Sequence, residues 1–161
     1  MTVIRPATTG DQGAIWSLLE PVFRAGDTYA VDPNISAAEA LSYWMDQPRA
    51  TYVAEISGKI IGTYYIRTNQ QGGGDHICNC GYVVGDAARG RGVAAAMCGH
   101  SQEQARALGY RAMQFNFVLA SNAGALRLWQ RLGFDVIGTI PDAFRHPALG
   151  MVAAHILYKA I

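Results

Sequence analysis

Apolar positions at helical spacing mark the first strong element of the chain. Between Asp11 and Phe23, the residues Ile15, Leu18, Leu19 and Val22 fall on one helical face, and Asp11 stands where an N-cap belongs. Ahead of it, Thr2 to Arg5 reads as a short strand. After a loop holding Gly26, Asp27 and Pro33, Ser36-Ala37-Ala38-Glu39 forms a capping box, so a second helix starts there and stops before Pro48. Thr51 to Ile56 and Lys59 to Arg67 alternate as two strands joined by a tight Ser57-Gly58 turn. Gly72-Gly73-Gly74 reads as a loop tip, because no helix follows it. His76 to Val84 is a further strand, and Val93 to Leu108 a helix ended by Gly109. Ala112 to Val118 is a strand and Asn122 to Leu132 a helix capped by Gly133. Phe134 to Ile140 and Met151 to Lys159 close the chain as strands, with a loop between them. The order βααβββαβαββ predicts a mixed α/β domain with a largely antiparallel sheet and one local parallel pair.

Composition narrows this picture without changing it. At 161 residues one domain spanning 1–161 is expected, with no internal repeat or linker. Half the residues are hydrophobic and 16% are charged, which excludes wholesale disorder. A formal net charge of +1 gives no basis for a nucleic-acid or acidic-membrane partner. No apolar run has the length of a membrane span, and Met1-Thr2-Val3-Ile4-Arg5 does not read as a signal peptide, so a cytoplasmic location is expected. Cys78 and Cys80 share one strand face and Cys98 lies on the next helix. Their spacing supplies no four-ligand zinc set, so no metal is expected, and all three read as small buried apolar residues.

The chemistry concentrates at Arg89-Gly90-Arg91-Gly92-Val93-Ala94. This turn joins an apolar strand end at Val84 to the start of a helix. Gly90 and Gly92 let a ligand approach the backbone. The helix start offers unpaired N–H groups and the positive end of its dipole, and Arg89 and Arg91 add charge. Such a turn suits a pyrophosphate. There is no Gly-x-Gly-x-x-Gly after the first strand and no Gly-Lys-Ser/Thr, which argues against a nucleotide-type phosphate loop.

Together with Asn122, Ala125, Trp129 and Leu132-Gly133-Phe134 downstream, the turn resembles that of the GNAT superfamily of acetyl-CoA-dependent N-acetyltransferases. Within it, the asparagine pattern is nearest to the yeast proline-analogue acetyltransferase branch. The resemblance implies a six- to seven-stranded, mostly antiparallel sheet with about four helices, in which the fourth and fifth strands splay apart. The pantetheine arm of acetyl-CoA then lies in the gap like an added strand. The backbone of Tyr82, Val83 and Val84 would hold it, with the Val84 N–H as candidate for the acetyl carbonyl. The turn from Arg89 to Ala94 would take the pyrophosphate. Asn122 would cap its helix and also bond the arm. Many family members carry a tyrosine where this chain has Trp129, and an indole N–H is no general acid. Trp129 therefore walls the channel or simply fills the core, and the thiolate's proton source is left to Tyr82 or a water.

The acceptor side is less explicit. Asn79 and Asn116 stand within otherwise apolar strands, where a buried amide needs partners. Each either bridges backbone at the splay or holds a small amine acceptor, plausibly an amino acid or an analogue. No carboxylate lies on the fourth strand, where the family usually keeps its base. Glu55, Asp27, Asp75 and His76 are surface positions by default. His146, in the expected loop between the last two strands, has the right pKa range for amine deprotonation and is the base candidate. A non-catalytic acyl-CoA sensor and a protein N-terminal acetyltransferase remain alternatives, and homodimers are common in the family.

Overall fold

The computed structural model describes Met1 to Ile161. Seven strands form one sheet: β1 (Val3–Pro6), β2 (Ala50–Ile56), β3 (Lys59–Thr68), β4 (Ile77–Val84), β5 (Ala112–Leu119), β6 (Asp135–His146) and β7 (Gly150–Ala160). Four helices accompany them: α1 (Gln12–Ala25), α2 (Ala37–Leu41), α3 (Val93–Ala107) and α4 (Ala123–Arg131). The sheet runs β1-β2-β3-β4-β5-β7-β6, antiparallel except for the β4/β5 pair. That is the architecture expected from the sequence.

The pleat sorts the core into two layers. Odd positions of β3 and β4, such as Tyr65 and Val83, pack with Ile15, Leu19 and Phe23 of α1 and with Trp44. Even positions, including Tyr64, Cys78 and Cys80, pack with Val93, Met97 and Cys98 of α3 and Trp129 of α4. Thus α1 and α2 cover one face, and α3 and α4 the other. All three cysteines are buried, as expected. Trp44 donates its indole N–H to Thr63 Oγ1 at 3.0 Å, and Thr63 donates onward to the Tyr52 carbonyl at 2.8 Å. These bonds satisfy the Trp44 indole and the Thr63 hydroxyl within the α1–α2 layer.

Three local expectations are corrected. Asp11 is not a simple N-cap. Its carboxylate accepts from the Thr8 N–H at 2.7 Å and pairs with Arg5, which also binds Glu55. This strap holds the start of α1 to β1 and β2. The second helix ends as α-helix at Leu41 and widens to a π-turn over Ser42–Asp46, where the Gln47 N–H reaches back to the Ser42 carbonyl. Finally, β6 does not stop at Ile140. It runs on to His146 through irregular register around Asp142, whose φ is 47°, so most of the expected loop is strand.

The Arg5 guanidinium holds the Asp11 carboxyl well below the usual carboxylate range, with the Thr8 bonds assisting and burial opposing. A depressed carboxylate contributes stability that is present above its unfolded pKa of about 4 and lost as pH falls through the folded value. Asp11→Asn should therefore lower Tm at neutral pH, with the gap to wild type closing towards about pH 2. Thermal melts across pH check this; a gap that stays constant would contradict it.

Candidate active site

Backbone hydrogen bonding fixes which edge of β4 is free. The Asn69 N–H bonds the Ile77 carbonyl and the Gly85 N–H bonds the Ile61 carbonyl. With unbroken register between them, antiparallel alternation turns the backbone groups of Ile77, Asn79, Gly81 and Val83 towards β3. Those of Cys78, Cys80, Tyr82 and Val84 face β5. Yet β4 and β5 pair only at Ile77/Ala112 and Cys78/Met113. Beyond that point the strands part, and Cys80, Tyr82 and Val84 present backbone edges without strand partners to a gap. The Tyr82 and Val84 backbones therefore face this gap, while that of Val83, expected beside them, turns instead to Thr63 on β3, and its side chain is 4% exposed.

At the end of β4 the chain enters the glycine turn. Gly90 and Gly92 have φ of 73° and 77°, a region costly for other residues, and a Cβ at either would meet no atom within 4 Å. The glycines therefore serve backbone conformation and open space rather than close packing. The first backbone bond of α3 runs from the Ala96 N–H to the Gly92 carbonyl, which leaves the N–H groups from Gly90 to Ala95 without backbone partners. Val93 anchors this cradle by burying its side chain in the core, and Ala94 continues it. Arg89 pairs with Asp86 at 3.0 Å, and both side chains are mostly exposed, as is Arg91. Backbone donors, not arginines, are the ordered part of the cradle.

A cavity of about 290 Å³ occupies the gap and is lined from both faces of the sheet. On the α4 side stand Tyr82, Asn122, Ala125 and Trp129. Asn122 Oδ1 accepts from the Ala125 N–H, so it is the N-cap of α4 as well as a lining residue. Trp129 is 9% exposed and packs on Tyr82 and Phe115, each with ring centroids 5.1 Å away. It both walls the cavity and fills the core. Tyr82 cannot present its proton to the gap. Ser101 spends its own proton on the Cys98 carbonyl, so the Tyr82 hydroxyl donates to Ser101 Oγ at 2.7 Å or to the Met113 sulfur. Burial also pushes that phenol well above its usual pKa.

On the other side stand Thr28, Tyr29, Tyr43 and Tyr65, none of which the sequence marked strongly. Tyr29 donates its hydroxyl to the Tyr82 carbonyl at 3.0 Å, tying the α1–α2 loop to the free edge of β4. Tyr64, one residue before Tyr65, faces α3, where its hydroxyl meets His100 Nδ1 at 2.7 Å. Asn79 and Asn116 do line the cavity. Asn79 donates to the Gln114 carbonyl at 3.0 Å and so bridges the strands just past their last paired residues. Asn116 is exposed rather than buried. Its amide donates to Asn69 and accepts from Gln114, so both ends are engaged. His146 ends β6 and accepts the N–H groups of Ala148 and Leu149 at Nδ1, each at 3.1 Å. It closes the hairpin turn and does not line the cavity, which removes the geometric reason for naming it the base. Glu55 is held by Arg5. No carboxylate lines this cavity.

A gap edged by backbone without strand partners, leading to a cradle of unpaired N–H groups, suits a long flexible ligand ending in a diphosphate. The comparisons agree with that class. The profile of the Acetyltransferase (GNAT) family matches residues 14–134, and the chain belongs to this family. It is 34% identical over 136 residues to the N-acetyltransferase aca1 of Schizosaccharomyces pombe, a match covering 74% of this chain but 65% of that protein. A GCN5-related N-acetyltransferase from Kribbella flavida is 39% identical with a TM-score of 0.94, covering 99% of this chain and 98% of the other. A GNAT superfamily phosphinothricin acetyltransferase from Sinorhizobium meliloti, solved with acetyl-CoA, shares the fold at a TM-score of 0.87 with 19% identity, covering 99% and 88%. The family uses acetyl-CoA as its acetyl donor. The residues present fit that group: open-sided glycines, free N–H donors and a gap where β4 and β5 are no longer paired. No helix is long and apolar enough to cross a membrane.

Proposed function

We propose that this chain transfers an acetyl group from acetyl-CoA to the primary or secondary amine of a small molecule of about amino-acid size. The observation that carries the reading is the cavity in the β4/β5 gap, lined from both faces of the sheet. A ligand held along the Tyr82 and Val84 edges from one side would meet an acceptor held by Tyr29, Tyr43, Tyr65 and Asn79 on the other. Bound acetyl-CoA supplies a thioester-activated acetyl group, and the protein's contribution is orientation. The Val84 N–H faces the gap and serves as donor to the acetyl oxygen. Asn122 and Trp129 wall the arm, and the cradle from Gly90 to Ala95 takes the diphosphate. No carboxylate, histidine or lysine lines the site, so the acceptor enters as the neutral amine. Its nitrogen bonds the thioester carbon as the C–S bond breaks, and the proton it sheds reaches the departing thiolate through water. Asn79 keeps Oδ1 free of protein donors and so can accept from the acceptor's N–H.

The cavity volume of about 290 Å³, near the low end for ligand sites, supports a small acceptor. Thiol release from acetyl-CoA, measured across a panel of amino acids, amines and short peptides, tests the proposal. Amine-dependent release with small acceptors is the expected outcome. Tight cofactor binding with no amine-dependent release would make the chain a binding module, and release with peptides alone would make it a protein acetyltransferase.

A further inference from the structure

We infer that Arg67 selects an acceptor carrying an anionic group beside its amine, most simply a carboxylate; this rests on the acetyl-transfer reading above. Arg67 is half-buried on the acceptor face of β3, directly across from Asn79 in the register. Its guanidinium carbon lies 4.7 Å from the Tyr43 ring centroid and 4.8 Å from that of Tyr65. Those two rings wall one end of the cavity, so the cation stands immediately behind the wall. No acidic side chain pairs with it: the ion pairs of the molecule involve Arg5, Arg24 and Arg89. Only Nη2 donates to the protein, at 2.9 Å to the Tyr43 carbonyl, and Nε is buried with no partner.

The Tyr43 carbonyl is available because of the π-turn. In an α-helix it would accept from the Gln47 N–H, which here goes to Ser42 instead. The widening therefore holds an arginine at the cavity wall without spending a carboxylate on it. A half-buried cation without a counter-ion is costly, and stacking between two aromatic faces offsets only part of that. With no carboxylate, histidine, lysine or arginine among the lining residues, Arg67 sets the sign of the potential on the acceptor side. A carboxylate entering there is attracted, and a second ammonium is repelled. Asn116, with both ends of its amide engaged, is less suited to that task.

The test compares kcat/KM for three acceptors of matched size: the amino acid turned over fastest, its carboxamide, and a diamine. Wild type is expected to favour the amino acid over the carboxamide by about tenfold or more, and the diamine least, with the preference shrinking in high salt. Arg67→Gln should raise KM for the amino acid about tenfold while leaving the carboxamide unchanged, and Arg67→Lys should restore part of the difference. A purely structural arginine would move both acceptors together and overturn the inference. So would a wild type that treats acid and amide alike, a result that needs no variant to fold. Absence of amine-dependent thiol release from every acceptor sinks the acetyl-transfer reading and this inference with it. Release without charge preference sinks this inference alone.

Discussion

Gly92→Glu is expected to weaken acetyl-CoA binding by about a hundredfold or more, some 3 kcal/mol, while leaving the fold intact. Gly92 sits at φ 77° and ψ 8°, where a side chain costs about 1–2 kcal/mol. Its Cβ would meet nothing within 4 Å, so the protein can absorb the new residue. What it cannot absorb is the charge. The added carboxylate would stand among the unpaired N–H groups from Gly90 to Ala95, take those donors for itself and repel a diphosphate. Gly92→Ala carries the strain without the charge and should lose much less. Calorimetry with acetyl-CoA, beside circular dichroism and melting curves, separates the two effects. Wild-type affinity in folded Gly92→Glu would mean that the cradle is not the anion site.

Gly81→Ala should be the most damaging small substitution on the acceptor side. An ideal Cβ at Gly81 would lie 2.6 Å from Cε1, 2.8 Å from Cζ and 2.9 Å from the hydroxyl of Tyr65. That ring cannot step aside. It is 4% exposed and wedged edge-on against Trp44, with centroids 4.8 Å apart, and against Tyr43 at 6.0 Å. Overpacking of this kind costs about 1–3 kcal/mol. Because Tyr65 walls the acceptor end, amine kinetics should suffer while acetyl-CoA affinity stays near wild type. Adding Tyr65→Ala removes the obstructing ring, so the double variant should be less destabilised than the two single effects combined. Strict additivity would show that the clash is relieved some other way.

The glycine cradle and the cap of α4 were legible in the sequence because they are written locally. A glycine turn followed by a helix start dictates its own geometry, and Asn122 and Trp129 sit at fixed helical positions. Val83 was misjudged because only the register with β3 tells which backbone groups of a strand are free. The acceptor half is made by distant contacts that no spacing reveals. Tyr65 and Gly81 meet across two strands, and Arg67 depends on a π-turn more than twenty residues earlier. Asn116 looked buried between two phenylalanines, yet it sits at the register shift between Phe115 and Val118 and is exposed. His146 looked like a loop residue because Pro141, Asp142 and Pro147 are turn-formers. The strand pairing of β6 with β7 overrides them. The succession of strands and helices along the chain, by contrast, followed from periodicity and caps, apart from the widened end of α2 and the longer β6.

The parting of β4 from β5 has a mechanical consequence. The molecule consists of two leaves, β1 to β4 with α1 to α3 and β5 to β7 with α4, joined along the sheet by a hinge only two residue pairs deep. Across the open margin, the Asn79–Gln114 and Asn116–Asn69 bonds are stitches and the Tyr82–Trp129 stack a soft clasp. A guest that bonds both margins completes the ladder and couples the leaves, so part of its binding energy becomes cohesion of the whole sheet. On the proposed reading the cofactor would be a temporary eighth strand, and each turnover a cycle of stiffening and release.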